Sequence, residues 1–164
     1  MELFDAIKMR CSVREYRPMP IPEDSIWKIA DAGRLAPTAR KEEPWEFIAV
    51  TEKNTLKAMA DIADHGKFIE NAACAIIVCC RDTKYYLEDG CAATENMLVA
   101  AAGLGIGSCW VAGDKKAYCQ KILELVKAPK EYRLISIIAL GYPANPAIPL
   151  KKRPLEKVLH WQKF

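Results

Sequence analysis

Asn71-Ala-Ala-Cys-Ala-Ile-Ile-Val-Cys-Cys80 is the stretch that decides the fold. It is short, uncharged, rich in branched apolar residues and bounded by Glu70 and Arg81, the pattern of a strand buried on both faces at the centre of a sheet. Leu134-Ile-Ser-Ile-Ile-Ala-Leu-Gly141 has the same two-sided character. Outward from these, Trp45-Glu-Phe-Ile-Ala-Val-Thr51 alternates and then runs apolar, and Ser108-Cys-Trp-Val-Ala112 reads as a short strand ending at Gly113. Helical spacing of apolar residues places helices at about 3–9, 23–35, 55–63, 87–104 and 118–126. A short final helix is expected to carry Leu155, Val158, Leu159 and Trp161. Four strands and several helices in non-repeating order predict an α+β layered architecture, with residues 1–164 forming a single domain.

The whole-chain balance narrows the function. At 164 residues and 51% hydrophobic composition, the chain has the size of one domain with a substantial core. The net charge of +3, from 24 basic and 21 acidic residues, lacks the basic excess of a nucleic-acid binder and points to a small-molecule partner. Seven cysteines without a C-x-x-C pair, mostly in apolar surroundings, predict reduced thiols in the cytoplasm rather than disulfides or a zinc site. No stretch reaches the ~20 apolar residues that a bilayer span needs, so no membrane role is expected. Two isolated histidines, His65 and His160, do not make a metal site.

One short run carries chemistry. Arg10-Cys11-Ser12-Val13-Arg14 sets two guanidinium forks around a hydroxyl at the end of the first helix, a grouping suited to an anion and to the electron-rich edge of a cofactor. A second basic group, Lys151-Lys152-Arg153, follows the proline-rich segment 142–149. Gly103-Leu-Gly-Ile-Gly107 has the glycines of a dinucleotide loop but closes a helix and opens a strand, the reverse of a phosphate loop, and is read as a helix terminus.

In this order the motifs resemble the FMN-dependent nitroreductase family across most of the chain. They are R-x-S-x-R at Arg10, Ser12 and Arg14; A-P-T-A at Ala36-Pro37-Thr38-Ala39 before Pro44-Trp45; G-L-G at Gly103-Leu104-Gly105; G-Y-P at Gly141-Tyr142-Pro143; and K-x-R at Lys151 and Arg153. The resemblance implies a central, mainly antiparallel or mixed sheet flanked by helices, and FMN bound at the interface of a homodimer. It further implies that Arg10, Ser12, Lys151 and Arg153 hold the phosphate and that Arg14 lies at the pyrimidine edge of the flavin. Ala112 and Gly113 would lie beside flavin N5, with Pro37, Thr38 and Ala39 supplied by the partner chain.

The reaction so implied is a ping-pong reduction of a nitroaromatic, quinone or similar electrophile by NAD(P)H or another low-potential donor, with the flavin rather than a side chain carrying the chemistry. The sequence departs from the family pattern at Lys41 and Glu43, where an amide pair is usual, and at Ala112, where many members have a glutamate. A flavin carrier or sensor without turnover, a flavin-fragmenting synthase and a reductive dehalogenase stay open as alternatives.

Overall fold

In the computed structural model, β2 (Cys74–Arg81) and β4 (Tyr132–Gly141) form the middle of a four-stranded sheet. The structure describes the backbone of residues 1–164 and every side chain except that of Ala112. β1 (Trp45–Val50) pairs with β2, and β3 (Gly107–Ala112) with β4, so the order is β1-β2-β4-β3. All three strand pairings are antiparallel, and the one parallel pairing among the described residues is the isolated bridge between Ser12 and Ser108 of β3.

The two central strands are buried on both sides because each alternates between two cores. On one face Ala75, Ile77 and Cys79 of β2 meet Leu134, Ile137 and Ala139 of β4 under α3 (Lys53–Ile62) and α5 (Cys119–Leu125). On the other face Cys74, Ile76, Val78 and Cys80 join Ile135, Ile138 and Leu140 beneath α2 (Glu23–Arg34) and α4 (Tyr86–Gly103). The pairing shifts between Val78 and Cys79, which face Ser136 and Leu134, leaving Ile135 as the extra residue of a bulge. The bulge sends two consecutive side chains toward α4. Ile135 closes on Gly90, whose missing methyl would come within 2.6 Å of it, and the Ser136 hydroxyl lies 2.8 Å from that of Thr94.

Most expected elements occur, with shifted ends. α1 (Leu3–Met9) and the start of α2 fall where expected. The central strand begins at Cys74 rather than Asn71, because Lys67–Asn71 winds into a 3-10 turn closed by the Ala72 N–H on the Ile69 carbonyl. The long helix expected at 87–104 runs Tyr86–Gly103 and buries Ala93, Thr94, Met97, Leu98 and Ala101. The glycine run is indeed a helix end: Gly105 adopts φ +72°, and Ile106 N–H reaches back to the Ala101 carbonyl at 2.9 Å.

The final helix is the chief correction. Only the 3-10 turn Leu155–Lys157 forms, and every residue from 144 to 164 is exposed. With nothing in its own chain to cover Leu155, Val158, Leu159 and Trp161, a short amphipathic segment lacks the tertiary packing that sustains most helices. No helix among the described residues is long and apolar enough to cross a membrane.

All seven cysteines are free, and three of them fill the central strand. Burial pushes the Cys74 and Cys80 thiols up to about 12 and the Cys79 thiol up to about 11. An unfolded thiol ionises near ~8.5, so the unfolded chain sheds these protons first as pH rises. We expect folding stability to fall progressively from about pH 9 toward the folded-state values, measured as denaturation midpoints across that range. At pH 8 a thiol reagent should label these three positions only after denaturant is added.

Candidate functional site

The basic run is fixed to the outer edge of β3. Arg10 ends α1, with its N–H on the Ala6 carbonyl at 3.0 Å, and the chain then turns so that Ser12 pairs in parallel with Ser108. Val13 N–H donates to the Ser108 carbonyl at 2.9 Å, which shows that the backbone of Ser108 faces away from β4. Backbone polarity in an antiparallel strand repeats every second residue, so Trp110 and Ala112 face the same open side. The chain from 10 to 14 therefore covers the start of that edge, and the backbone groups of Trp110 and Ala112 are presented beyond it.

Tyr16 locks this arrangement. Its hydroxyl donates to the Val13 carbonyl at 2.6 Å, and its ring occupies the space above Gly141, where any Cβ would come within 2.6 Å of it. Burial, followed by the neighbouring Cys109, raises the hydroxyl's pKa far above the usual tyrosine value, against the pull of Arg14. The phenol stays a neutral donor.

The cations gather on one spot. Arg14, the Ser12 hydroxyl and Arg10 all favour ionisation of the Cys109 thiol, although burial outweighs them and raises its pKa. The Arg14 guanidinium lies 5.9 Å from the Phe68 ring centroid, a cation–π contact that aims an otherwise exposed side chain. Arg10 pairs only loosely with Glu95, at 3.7 Å, with 54% of the glutamate side chain exposed. Solvated pairs of this kind are worth little, so a better anion can displace Glu95.

Gly113 closes the far end. It is buried, and an added methyl would meet Leu134 Cγ at 2.8 Å and the Ile135 carbonyl oxygen at 2.9 Å. The β-bulge at Ile135 thus decides where the chain leaves β3. The next residue, Asp114, takes φ +46°, donates its N–H to the Leu134 carbonyl at 2.7 Å and accepts the Tyr86 hydroxyl at 2.9 Å. The side chain of Ala112 lies outside the described residues; its backbone pairs in register with Ser136.

The other expected site residues stand apart within one chain. Pro37 is exposed, Thr38 extended and Ala39 tied through its N–H to Asp89 Oδ1 at 2.9 Å, at the first turns of α4. Glu95, the partner of Arg10, is six residues further along that helix, roughly 9 Å at its usual rise. Lys151 and Arg153 lie in the exposed tail and, among the described residues, make no hydrogen bond or ion pair. The tail's root is nonetheless held beside the basic run: Ala144 N–H donates to the Glu15 carbonyl at 2.9 Å and Asn145 to the Glu15 carboxylate at 2.7 Å. A cleft of about 500 Å³ lies between them, lined by Arg10, Cys11, Ser108 and Asn145.

Sequence reasoning did not identify Tyr16, Phe68 or Asp89. Asp89 carried a signal only jointly with Glu88, as one of two acidic residues in the first turn of a largely apolar helix. Phe68 carried none, because its contact with Arg14 spans 54 positions. No group of three or more acidic, histidine or cysteine residues among those described could hold a metal ion.

A four-stranded antiparallel α+β domain with a cationic segment fixed on one sheet edge defines a class of small cofactor-binding folds, and comparison gives the family. The chain matches the family model described as "Putative TM nitroreductase" over residues 2–163. It is 39% identical over 151 residues to a "Putative NADH dehydrogenase/NAD(P)H nitroreductase" of Archaeoglobus fulgidus, covering 88% of this chain and 87% of that protein. It is 35% identical to a protein of the same description from Methanothermobacter thermautotrophicus, covering 88% and 79%. Among solved structures, it superposes on an FMN-dependent nitroreductase from Clostridium difficile with a TM-score of 0.92 at 27% identity, over 98% and 99% of the two chains. The chain belongs to the nitroreductase family.

Gly113→Ala tests whether the chain must leave β3 by this path. The added methyl meets the Ile135 backbone as well as the Leu134 side chain, so side-chain movement alone cannot relieve it, and we expect it to cost about 1–3 kcal/mol, the usual range for overpacking, measured by equilibrium urea denaturation.

Proposed function

We propose that the chain is a dimeric FMN oxidoreductase that takes electrons from NAD(P)H and passes them to a small electrophile such as a nitroaromatic or a quinone. The observation that carries this reading is the gathering of Arg10, Ser12 and Arg14 at the outer edge of β3, the side to which the backbone of Trp110 and Ala112 is turned. This donor set fits a flavin mononucleotide: fixed charge and a hydroxyl for the phosphate, a second guanidinium for the pyrimidine side, and an edge N–H for a ring nitrogen. FMN, when bound, supplies the two-electron chemistry that no side chain here provides.

The chain's own part is to bind and orient. Arg10 and Ser12 hold the phosphate, joined by Lys151 and Arg153; six residues from the anchored Asn145 give Lys151 a reach of roughly 20 Å, so the tail can bring both cations to it. Arg14, steadied by Phe68, places permanent positive charge where negative charge builds on reduction. The Ala112 N–H is directed at the ring, and Gly113 allows close approach. One open pocket serves donor and acceptor in turn, which accounts for a ping-pong order. The free thiols are in keeping with a cytoplasmic setting.

Exposed apolar surface supports the dimer. Ile148 and Leu150 are each 81% exposed and Trp161 is 77% exposed. Trp27 stands open on α2 beside a groove of about 780 Å³ lined by Met19, Ile21, Ile26 and Phe47. A second copy would cover these surfaces and bring its Pro37, Thr38 and Ala39 to the flavin, supplying the part of the site that one chain keeps separate.

Purified protein should be yellow and should bleach on anaerobic titration with NADH or NADPH, then recover its colour with an acceptor from a nitroaromatic and quinone panel. Arg10→Ala and Arg153→Ala should each weaken FMN binding about tenfold or more, the loss of one charge-assisted hydrogen bond. Colourless protein that takes up no added FMN would overturn the proposal. A flavin bleached by neither nucleotide would favour a carrier or sensor.

A further inference from the structure

The loop that carries Pro37, Thr38 and Ala39 is held in an unfavourable shape, and one buried carboxyl group holds its leading end. Arg40, Lys41 and Glu43 take φ of 64°, 58° and 42°, the left-handed region that non-glycine residues avoid. Downstream the loop is fastened to the last residue of β2, where Arg81 donates from Nη2 to the Glu42 carbonyl at 3.2 Å and from its N–H to the Pro44 carbonyl at 2.9 Å. Upstream the fastening is Asp89, whose Oδ1 accepts the Ala39 N–H at 2.9 Å across 50 positions of sequence.

Asp89 is an unusual residue to find there. It is 3% exposed, and its Oδ2 is enclosed without a hydrogen-bond partner. Buried polar atoms normally find partners, and leaving one unmatched is costly. Capping does not explain the residue, since α4 begins with no side-chain cap bond and Asp89 lies in its fourth position. Its neighbour Gly90 admits no side chain against Ile135 and Cys80, so Asp89 sits where α4 is pressed tightly on the sheet and has little freedom to move.

We propose that Asp89 is a positioning residue of the flavin site, which fixes Ala39, and through it Pro37 and Thr38, for contact with the cofactor of the neighbouring subunit. The inference rests on the FMN reading above. Asp89 does not touch the flavin; it acts through the Ala39 amide, and what it must supply is an acceptor oxygen at that point. Asparagine can supply the same oxygen, whereas alanine cannot.

The test uses the full-length protein, with FMN affinity measured by quenching of flavin fluorescence and ring orientation by the visible circular dichroism of bound flavin. Asp89→Ala should weaken FMN binding at least about tenfold and alter the dichroic band. Asp89→Asn should restore both, to within about threefold in affinity. Ala39→Pro, which removes the donor and leaves Asp89 intact, should behave like Asp89→Ala and serves as the deciding variant if Asp89→Ala does not fold. Wild-type affinity and dichroism in Asp89→Ala or Ala39→Pro would overturn the proposal, as would an Asp89→Asn protein as weak as Asp89→Ala. Failure of the wild-type protein to bind FMN would instead sink the cofactor reading itself, an outcome visible before any variant is made.

Discussion

The hydrogen bond from Val13 N–H to the Ser108 carbonyl governs the rest of the site. It sets the register of the basic segment on β3, so Arg10, Ser12 and Arg14 arrive together rather than scattered along a loop. It also fixes the parity of the strand: once Ser108 faces outward, Trp110 and Ala112 must too. One contact therefore decides both where the cations gather and which backbone groups lie beside them. Tyr16 and Gly141 protect this register from the interior, the tyrosine holding Val13 from below while the glycine leaves room for its ring.

The sheet contributes rigidity and one deliberate irregularity. The bulge at Ile135 turns both Ile135 and Ser136 toward α4, and the same local shift leaves Leu134 and the Ile135 carbonyl against Gly113. The path of the chain at the end of β3 is thus written into β4, 20 positions later in sequence. The fold supports function through such couplings, since the groups that line the edge are backbone atoms whose placement depends on strands and not on loops.

Most of the architecture was legible because hydrophobic period is a local property. Residues 71–80 and 134–141 announced a two-sided strand each, although the first begins only at Cys74, and the reversed order of helix and strand around Gly105 ruled out a phosphate loop without reference to any structure. Arg10, Ser12 and Arg14 were legible as a cluster since they are neighbours in the chain. What local reading missed depends on distance. Phe68 reaches Arg14, and Asp89 reaches Ala39, only after the sheet has formed. The final helix failed for a related reason: the periodicity of Leu155, Val158, Leu159 and Trp161 states that these residues want a surface, but not whether the rest of the chain supplies one, and here they stay exposed. The left-handed conformations of Lys41 and Glu43 make the departure seen in the sequence a costly one, because asparagine tolerates that conformation better than either.

The three buried thiols of β2 bear on how the molecule ages. Held inside the sheet they act as small apolar fillers and lie beyond the reach of oxidants dissolved in the surrounding water. Only a chain that opens exposes them, and an oxygen added to sulfur at that moment would have to be buried, polar and unmatched, on a strand that both cores share. At these three positions damage therefore works as a ratchet, and its pace follows how often the sheet opens.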